Sequence, residues 1–290
     1  MPIISSPYNS ASHLTEASLS QLPHQPAVLV QVAATQGSVP REAGTWMAVF
    51  ADQVIGTIGG GHLEYQAIAS ARAQLAGAAA DQEPLRFALG PALGQCCGGV
   101  VHLRFEPVGA SDMTALAARL GAAALRARLP VALFGGGHVG QALVQALAPL
   151  PFKLSWIDSR DGVFPASVPP NVVCEHSEPV QAAVPSLAPG SLVLIMSFSH
   201  AEDLDVLVAC LQRHREQVDL PYIGLIGSKT KWATFRRRLE ARGFTPTELA
   251  HVTCPIGVPG ITGKEPEVIA VAVAAQLLQT ASQTASQNAA

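Results

Sequence analysis

Apolar residues fall along this chain in short runs of strand length, separated by stretches whose apolar positions repeat with helical spacing. In the first half the pattern predicts a helix over 12–22, a strand over 27–33, and two strands over 45–50 and 54–58 around the tight turn Asp52-Gln53. A helix then opens in Gly59-Gly60-Gly61-His62-Leu63-Glu64 and runs to Leu75, followed by a strand pair over 85–89 and 100–105. An alanine- and arginine-rich helix over 112–128 leads into the second half, and Pro130 closes it. From there strands over 131–134, 154–157, 172–175, 192–198, 222–226 and 252–254 alternate with helices, among them 180–187, 203–214, 229–242 and 267–278. That rhythm belongs to a parallel sheet with helices on both faces. The expected fold is α/β, with an N-terminal α+β domain over 1–128 and a doubly wound parallel sheet domain over 129–279. The tail, 280–290, repeats TASQ, carries no core-forming residue and is expected to be disordered.

The second domain opens with a strand that ends directly in Gly135-Gly136-Gly137-His138-Val139-Gly140, which fits G-x-G-x-x-G. Gly135 serves the sharp turn, Gly137 close approach of a phosphate, and Gly140 tight packing of helix on sheet. The helix places Val139, Leu143, Ala146 and Leu147 on one face, and Pro149 and Pro151 stop it. The next strand ends in Asp158, where a carboxylate is needed for a ribose hydroxyl. Strand, glycine loop, helix, strand and terminal acid in this order make the domain Rossmann-like, with a nucleotide as one possible occupant of its crevice.

Composition narrows the partners. The charge of -3 gives no general reason to bind nucleic acid or a membrane. No apolar run reaches the length of a spanning helix, and the first residues lack the basic start and apolar stretch of a secretory signal. Five cysteines with one close pair suit a reducing cytoplasm, so a cytoplasmic location is expected. Charged residues make up 13% of the chain, about half the usual share, and homodimerisation that hides surface is one reading of that.

Three further features invite chemistry. Gly59, Gly60 and Gly61, followed by His62 and Glu64, form a second glycine loop feeding a helix N-terminus, which favours an anion. Glu64 and Tyr65 stand where close packing would be needed, so it is not a second dinucleotide site. Cys96 and Cys97 lie in a glycine-rich loop without the spacing of a zinc site. They read either as contacts to a soft centre or as small buried side chains. The helix after Gly227-Ser228-Lys229 is strongly cationic, which fits a solvated face, an anion site at Ser228 and Lys229, or a docking surface. No acid, base and nucleophile set demands an enzyme, and no protein metal site is expected.

GSVPREAGTWMAVF, GTIGGGHLE, GQCCGG, ALFGGGHVGQAL, YIGLIGSKTKWATFRRRL and CPIGVPGITGKEPEVIAVAVAAQLL together resemble the XdhC-type xanthine dehydrogenase accessory proteins, from about residue 25 to 278. The loop Pro255-Ile-Gly-Val-Pro-Gly-Ile261 departs from the acid and glycine placement expected there. The resemblance implies a non-catalytic chaperone that binds molybdenum cofactor (molybdopterin), holds it while a cysteine desulfurase supplies the sulfido ligand, and delivers it to apo-xanthine dehydrogenase. It implies phosphate binding at the glycine loops, pterin recognition by Arg41, His62 and Glu64, and Cys96 and Cys97 near the molybdenum. The readings from another class are an NAD(P)-dependent oxidoreductase and a dinucleotide-sensing module.

Overall fold

The computed structural model describes residues 24–79, 83–89, 98–126 and 128–288. The helix expected over 12–22 and the pair Cys96 and Cys97 lie outside the described residues. The chain divides into two compact units, Met1–Ala127 and Arg128–Ala290.

Unit 1 is built on an antiparallel sheet of strands β1 (Ala27–Gln36), β2 (Trp46–Val49), β3 (Val54–Gly56), β4 (Leu85–Ala88) and β5 (Val100–Val108), in the order β3-β2-β1-β5-β4. Helix α1 (Gly61–Leu75) covers one face and α2 (Met113–Arg126) the other. The period of two in β1 makes this possible. Val28, Val30 and Val32 pack with Leu63 and Ala67 of α1, while Ala27 and Leu29 pack with Met113 and Leu116 of α2. Because both faces are covered, β1 carries apolar residues at consecutive positions. β1 is longer than expected, since its pairing with β5 continues past a bulge between Val32 and Ala34 to Gln36.

Unit 2 holds a parallel sheet of β6 (Leu129–Phe134), β7 (Phe152–Asp158), β8 (Val172–His176), β9 (Leu192–Ile195), β10 (Tyr222–Leu225) and β11 (Val252–Thr253). Its order, β11-β10-β9-β6-β7-β8, is the 3-2-1-4-5-6 arrangement of dinucleotide-binding folds, which reverses direction between β6 and β9. Helices α3 (His138–Leu147) and α7 (Pro266–Asn288) cover one face, where Val131, Leu133, Leu154 and Trp156 meet Leu143, Leu147 and Val273. Helices α4 (His200–Gln217) and α5 (Lys229–Glu240) cover the other, over Ala132, Phe134, Val193 and Ile195. A short helix α6 (Pro246–Leu249) precedes β11.

Three expectations change here. The segment expected as a helix over 180–187 is a 3-10 helix, Val180–Ser186, because Pro185 inside it denies an α-helix its amide donor. Helix α4 begins at His200 rather than 203, since the Ser199 side chain accepts from Glu202 N–H and caps it there, and β9 stops at Ile195. The tail expected to be disordered from 280 is helical to Asn288. It contains no helix breaker through that point, Ala281 is buried, and the hydroxyls of Thr280 and Ser282 donate back to the carbonyls of Gln276 and Leu278.

Candidate functional site

In unit 1 the loop between β1 and β2 joins two of the sequence motifs. A Cβ on Gly99 would lie 2.4 Å from Ser38 O and 2.6 Å from Gln36 O, so the loop's first residues press on Gly99, two positions past Cys97. At its other end, a Cβ on Gly59 would lie 2.7 Å from Pro40 Cβ and 3.3 Å from Arg41 Cγ. Arg41, the Gly59-Gly60-Gly61 loop and the flank of the cysteine loop are therefore brought to one end of the sheet. The start of α1 there has Gly60 as N-cap and no side-chain cap, leaving first-turn N–H groups for an outside acceptor. His62 is exposed, contacts Gln66 Nε2 through Nε2 at 3.1 Å, and stacks on Tyr65 at 6.2 Å between ring centroids. Tyr65 is 71% exposed.

Glu64 departs from its expected part in reading a ligand edge. Its Oε2 accepts from the Thr57 hydroxyl, from Ile58 N–H at 2.9 Å and from Gly60 N–H at 3.1 Å. The carboxylate thus latches its own loop.

In unit 2 the three glycines of the fingerprint meet different surroundings. Gly135 has φ +127° and a Cβ there would lie 2.0 Å from Met196 O, so both turn and packing demand glycine. A Cβ on Gly140 would lie 2.1 Å from Gly135 O, and Trp156 Nε1 donates to that same carbonyl at 3.0 Å. At Gly137 nothing lies within 4 Å of such an atom. Gly137 is the N-cap of α3 without a side-chain cap hydrogen bond, and both it and His138 are exposed. The backbone is therefore open at Gly137 and closely packed at Gly140.

Asp158 is not free for a ribose. It is 1% exposed, and its oxygens accept from Gly136 N–H at 2.6 Å and from Arg160 N–H, Nε and Nη2, each at 2.9 Å. Burial alone would raise its carboxyl, but the bonds from Arg160 and Gly136 outweigh it and hold the group below the usual carboxylate range. Ser228 is likewise committed: its hydroxyl accepts from Lys231 N–H at 3.1 Å and caps α5, while Lys229 is exposed. The lysine that turns inward is Lys231, whose Nζ donates to Asp203 Oδ2 at 2.6 Å and to Ile226 O at 2.9 Å.

The family model for the XdhC Rossmann domain matches residues 131–277, just over half of the chain. The chain belongs to the XdhC family. The model for the XdhC and CoxI family matches residues 21–86. The chain is 28% identical over 269 residues to the uncharacterized protein YqeB of Escherichia coli K12, an alignment covering 91% of this chain and 45% of that protein. It therefore spans less than half the length of that relative. A crystal structure described as a xanthine dehydrogenase from Bacillus halodurans superposes with a TM-score of 0.70 at 20% identity, covering 92% of this chain and 96% of that one. At that identity the likeness is one of fold.

Sequence reasoning missed the residues that stabilise the XdhC Rossmann crevice. Asp203 and Lys231 form an ion pair with side chains 3% and 12% exposed, and Asp203 Oδ1 also accepts Ser197 N–H at 2.7 Å. The pair ties the ends of β9 and β10 to the starts of α4 and α5. Its signal was weak, because in sequence Lys231 is one cation among many and the two residues stand 28 positions apart. Arg160 was also missed, although an arginine two residues past a strand-ending acid is within reach of it. Among the described cysteines, burial pushes Cys174 up, Cys210 up to about 12 and Cys254 up to about 11, so none of the three is a ready thiolate at neutral pH. No group of three His, Cys, Asp or Glu among the described residues is placed to hold a metal ion. No helix among them is long and apolar enough to cross a membrane.

Proposed function

We propose that this chain binds molybdenum cofactor, protects it while a cysteine desulfurase provides the terminal sulfido ligand, and delivers it to apo-xanthine dehydrogenase. The observation that carries this reading is the convergence in unit 1 of Arg41, the Gly59-Gly60-Gly61 loop with His62, and the flank of the cysteine loop. The chemistry of the cargo matches these parts. It pairs a phosphate, which suits an uncapped helix start beside an arginine, with a polar pterin and a sulfur-bound metal. On this reading the soft contact to the metal end belongs to the adjacent pair Cys96 and Cys97.

The test is to incubate the chain with cofactor freed from a molybdoenzyme, isolate the protein by gel filtration, and measure molybdenum in its peak. That peak should then activate apo-xanthine dehydrogenase. The double variant Cys96→Ala, Cys97→Ala should elute with the parent and melt with it but yield less sulfurated enzyme. Absence of molybdenum from the protein peak defeats the proposal. Equal activation by parent and double variant returns the cysteines to a packing role.

A further inference from the structure

In nicotinamide sites the acid at the end of the second strand holds the ribose diol. Here that acid, Asp158, accepts four hydrogen bonds, three of them from Arg160 and one from Gly136. A carboxylate offers about four lone-pair directions, so no acceptor is left for a pair of hydroxyls. Arg160 uses Nε and Nη2 on Asp158, its side chain is 36% exposed, and Nη1 makes no hydrogen bond among the described residues. Its Cζ lies 4.6 Å from the ring centroid of Phe198, a residue 66% exposed just past β9. β7 and β9 flank β6 in the sheet, so Arg160 and Phe198 meet at the strand-order reversal where such folds take their ligands. Glu202, the acid beside them, is engaged by the Ser159 hydroxyl at 2.7 Å and by Phe198 N–H at 3.1 Å.

We propose that Arg160 is the specificity-determining residue of this crevice: it closes the position of a ribose diol and presents a guanidinium to a phosphate ester on that ribose. Phe198 supplies a flat apolar face beside it. The ligand class is a 2′-phosphorylated adenine nucleotide, preferred over its unphosphorylated counterpart. A guanidinium pre-oriented by a buried carboxylate and an aromatic ring gives up little freedom on binding a phosphate. The unphosphorylated ribose, in contrast, would have to break the Asp158–Arg160 pair to find an acceptor. This site does not depend on the cofactor reading above and is tested without molybdenum.

The full chain, freed of bound nucleotide, is titrated by calorimetry with NADP+, adenosine 2′-phosphate and NAD+. The first two are expected to bind, and NAD+ about tenfold or more weaker, the scale of one lost charge-assisted contact. Arg160→Ala should cut NADP+ affinity by a similar factor and, by releasing Asp158, erase the discrimination against NAD+. Arg160→Gln, which can still donate to Asp158, checks that any loss comes from the charge rather than from a disturbed fold. Three results overturn the proposal: NAD+ binding to the parent as tightly as NADP+, no binding of either phosphorylated ligand, or an unchanged preference in both variants. If neither variant folds, the ratio of NADP+ to NAD+ affinity in the parent decides alone.

Discussion

Gly140 and Gly137 stand three residues apart at the start of α3, yet a side chain at each should have opposite consequences. At Gly140 even the first carbon would sit 2.1 Å from Gly135 O, which is backbone and belongs to a turn already fixed by the contact of Gly135 with Met196. Valine there must lift the start of α3 off the loop. That displacement breaks the bond from Trp156 Nε1 to Gly135 O and leaves a donor on a side chain that is 1% exposed. Overpacking of this kind costs about 1–3 kcal/mol and a stranded buried donor about 1–3 kcal/mol more. Taken together, roughly 2–6 kcal/mol in a unit of this size lowers the melting temperature by about 5–20 °C. At Gly137 the backbone, φ -72° and ψ -176°, is open to any residue and the surroundings are empty. Alanine gains about 0.4–1 kcal/mol from a stiffer unfolded chain and loses a comparable amount as a poorer N-cap, so its melt should match the parent. What Gly137→Ala should lose is affinity for the nucleotide, because the added methyl stands in the phosphate approach. Tryptophan fluorescence melts and NADP+ titrations of Gly140→Val and Gly137→Ala provide the assay. Equal melting losses in the two variants would refute the division of roles.

The stacked pair His214 and His251, with ring centroids 4.0 Å apart, should make unit 2 acid-sensitive. Burial and the neighbouring imidazole lower His214 below its ordinary 6.5, so the unfolded chain takes up the proton first. Stability is therefore full above 6.5 and falls as pH drops from there toward the folded value; urea midpoints at pH 8 and pH 5.5 check this, and His214→Gln should flatten the difference. Lys231→Met should destabilise by about 3–5 kcal/mol in urea unfolding, because Asp203 is left charged and buried, and adding Asp203→Leu to it should recover part of the loss. Glu64→Ala should lower the melting temperature modestly and raise hydrogen exchange at Ile58 and Gly60, whereas Glu64→Gln should preserve the melt; unchanged exchange at those amides in the alanine variant would show that the latch is not formed in solution.

The strands and their order along the chain were legible because both sheets are covered on two faces, which makes β1, β6 and β9 near-continuous apolar runs. The glycine fingerprint was legible for a similar reason: at Gly135 and Gly140 sterics exclude every other residue. The partners of the charged residues were not legible. Asp158 reads as a ribose acid until the position of Arg160 is known, and the cationic run from Lys229 hides that Lys231, alone of Lys229, Lys231, Arg236, Arg237 and Arg238, is half-buried rather than exposed. Such pairings depend on side-chain direction around a helix and on loop paths, which periodicity does not encode. The extension of α7 through the TASQ repeats was missed because composition without apolar bulk was read as absence of structure. Alanine and back-bonding hydroxyls are nevertheless compatible with a helix whose earlier turns are anchored by Val273 and Leu277.

The two glycine loops share one device that neither motif announces. In each, a carboxylate of the protein accepts N–H groups from the loop: Glu64 takes Ile58 and Gly60, and Asp158 takes Gly136. An internal acid beside an anion site lowers the local potential, which works against binding. In return it fixes the loop before a ligand arrives, so that less freedom is lost on association. The loops then differ in how the acid is answered. Asp158 is paired with Arg160, so the latch of unit 2 is neutral overall and still leaves a guanidinium N–H facing outward. Glu64 has the Thr57 hydroxyl and two amides as its partners, none of them a cation. An anion at the start of α1, as proposed above, would meet that carboxylate, with Arg41 beside Gly59 as the nearby cation. On the carrier reading proposed above, that opposition would serve release of the cargo, and Arg41 its capture.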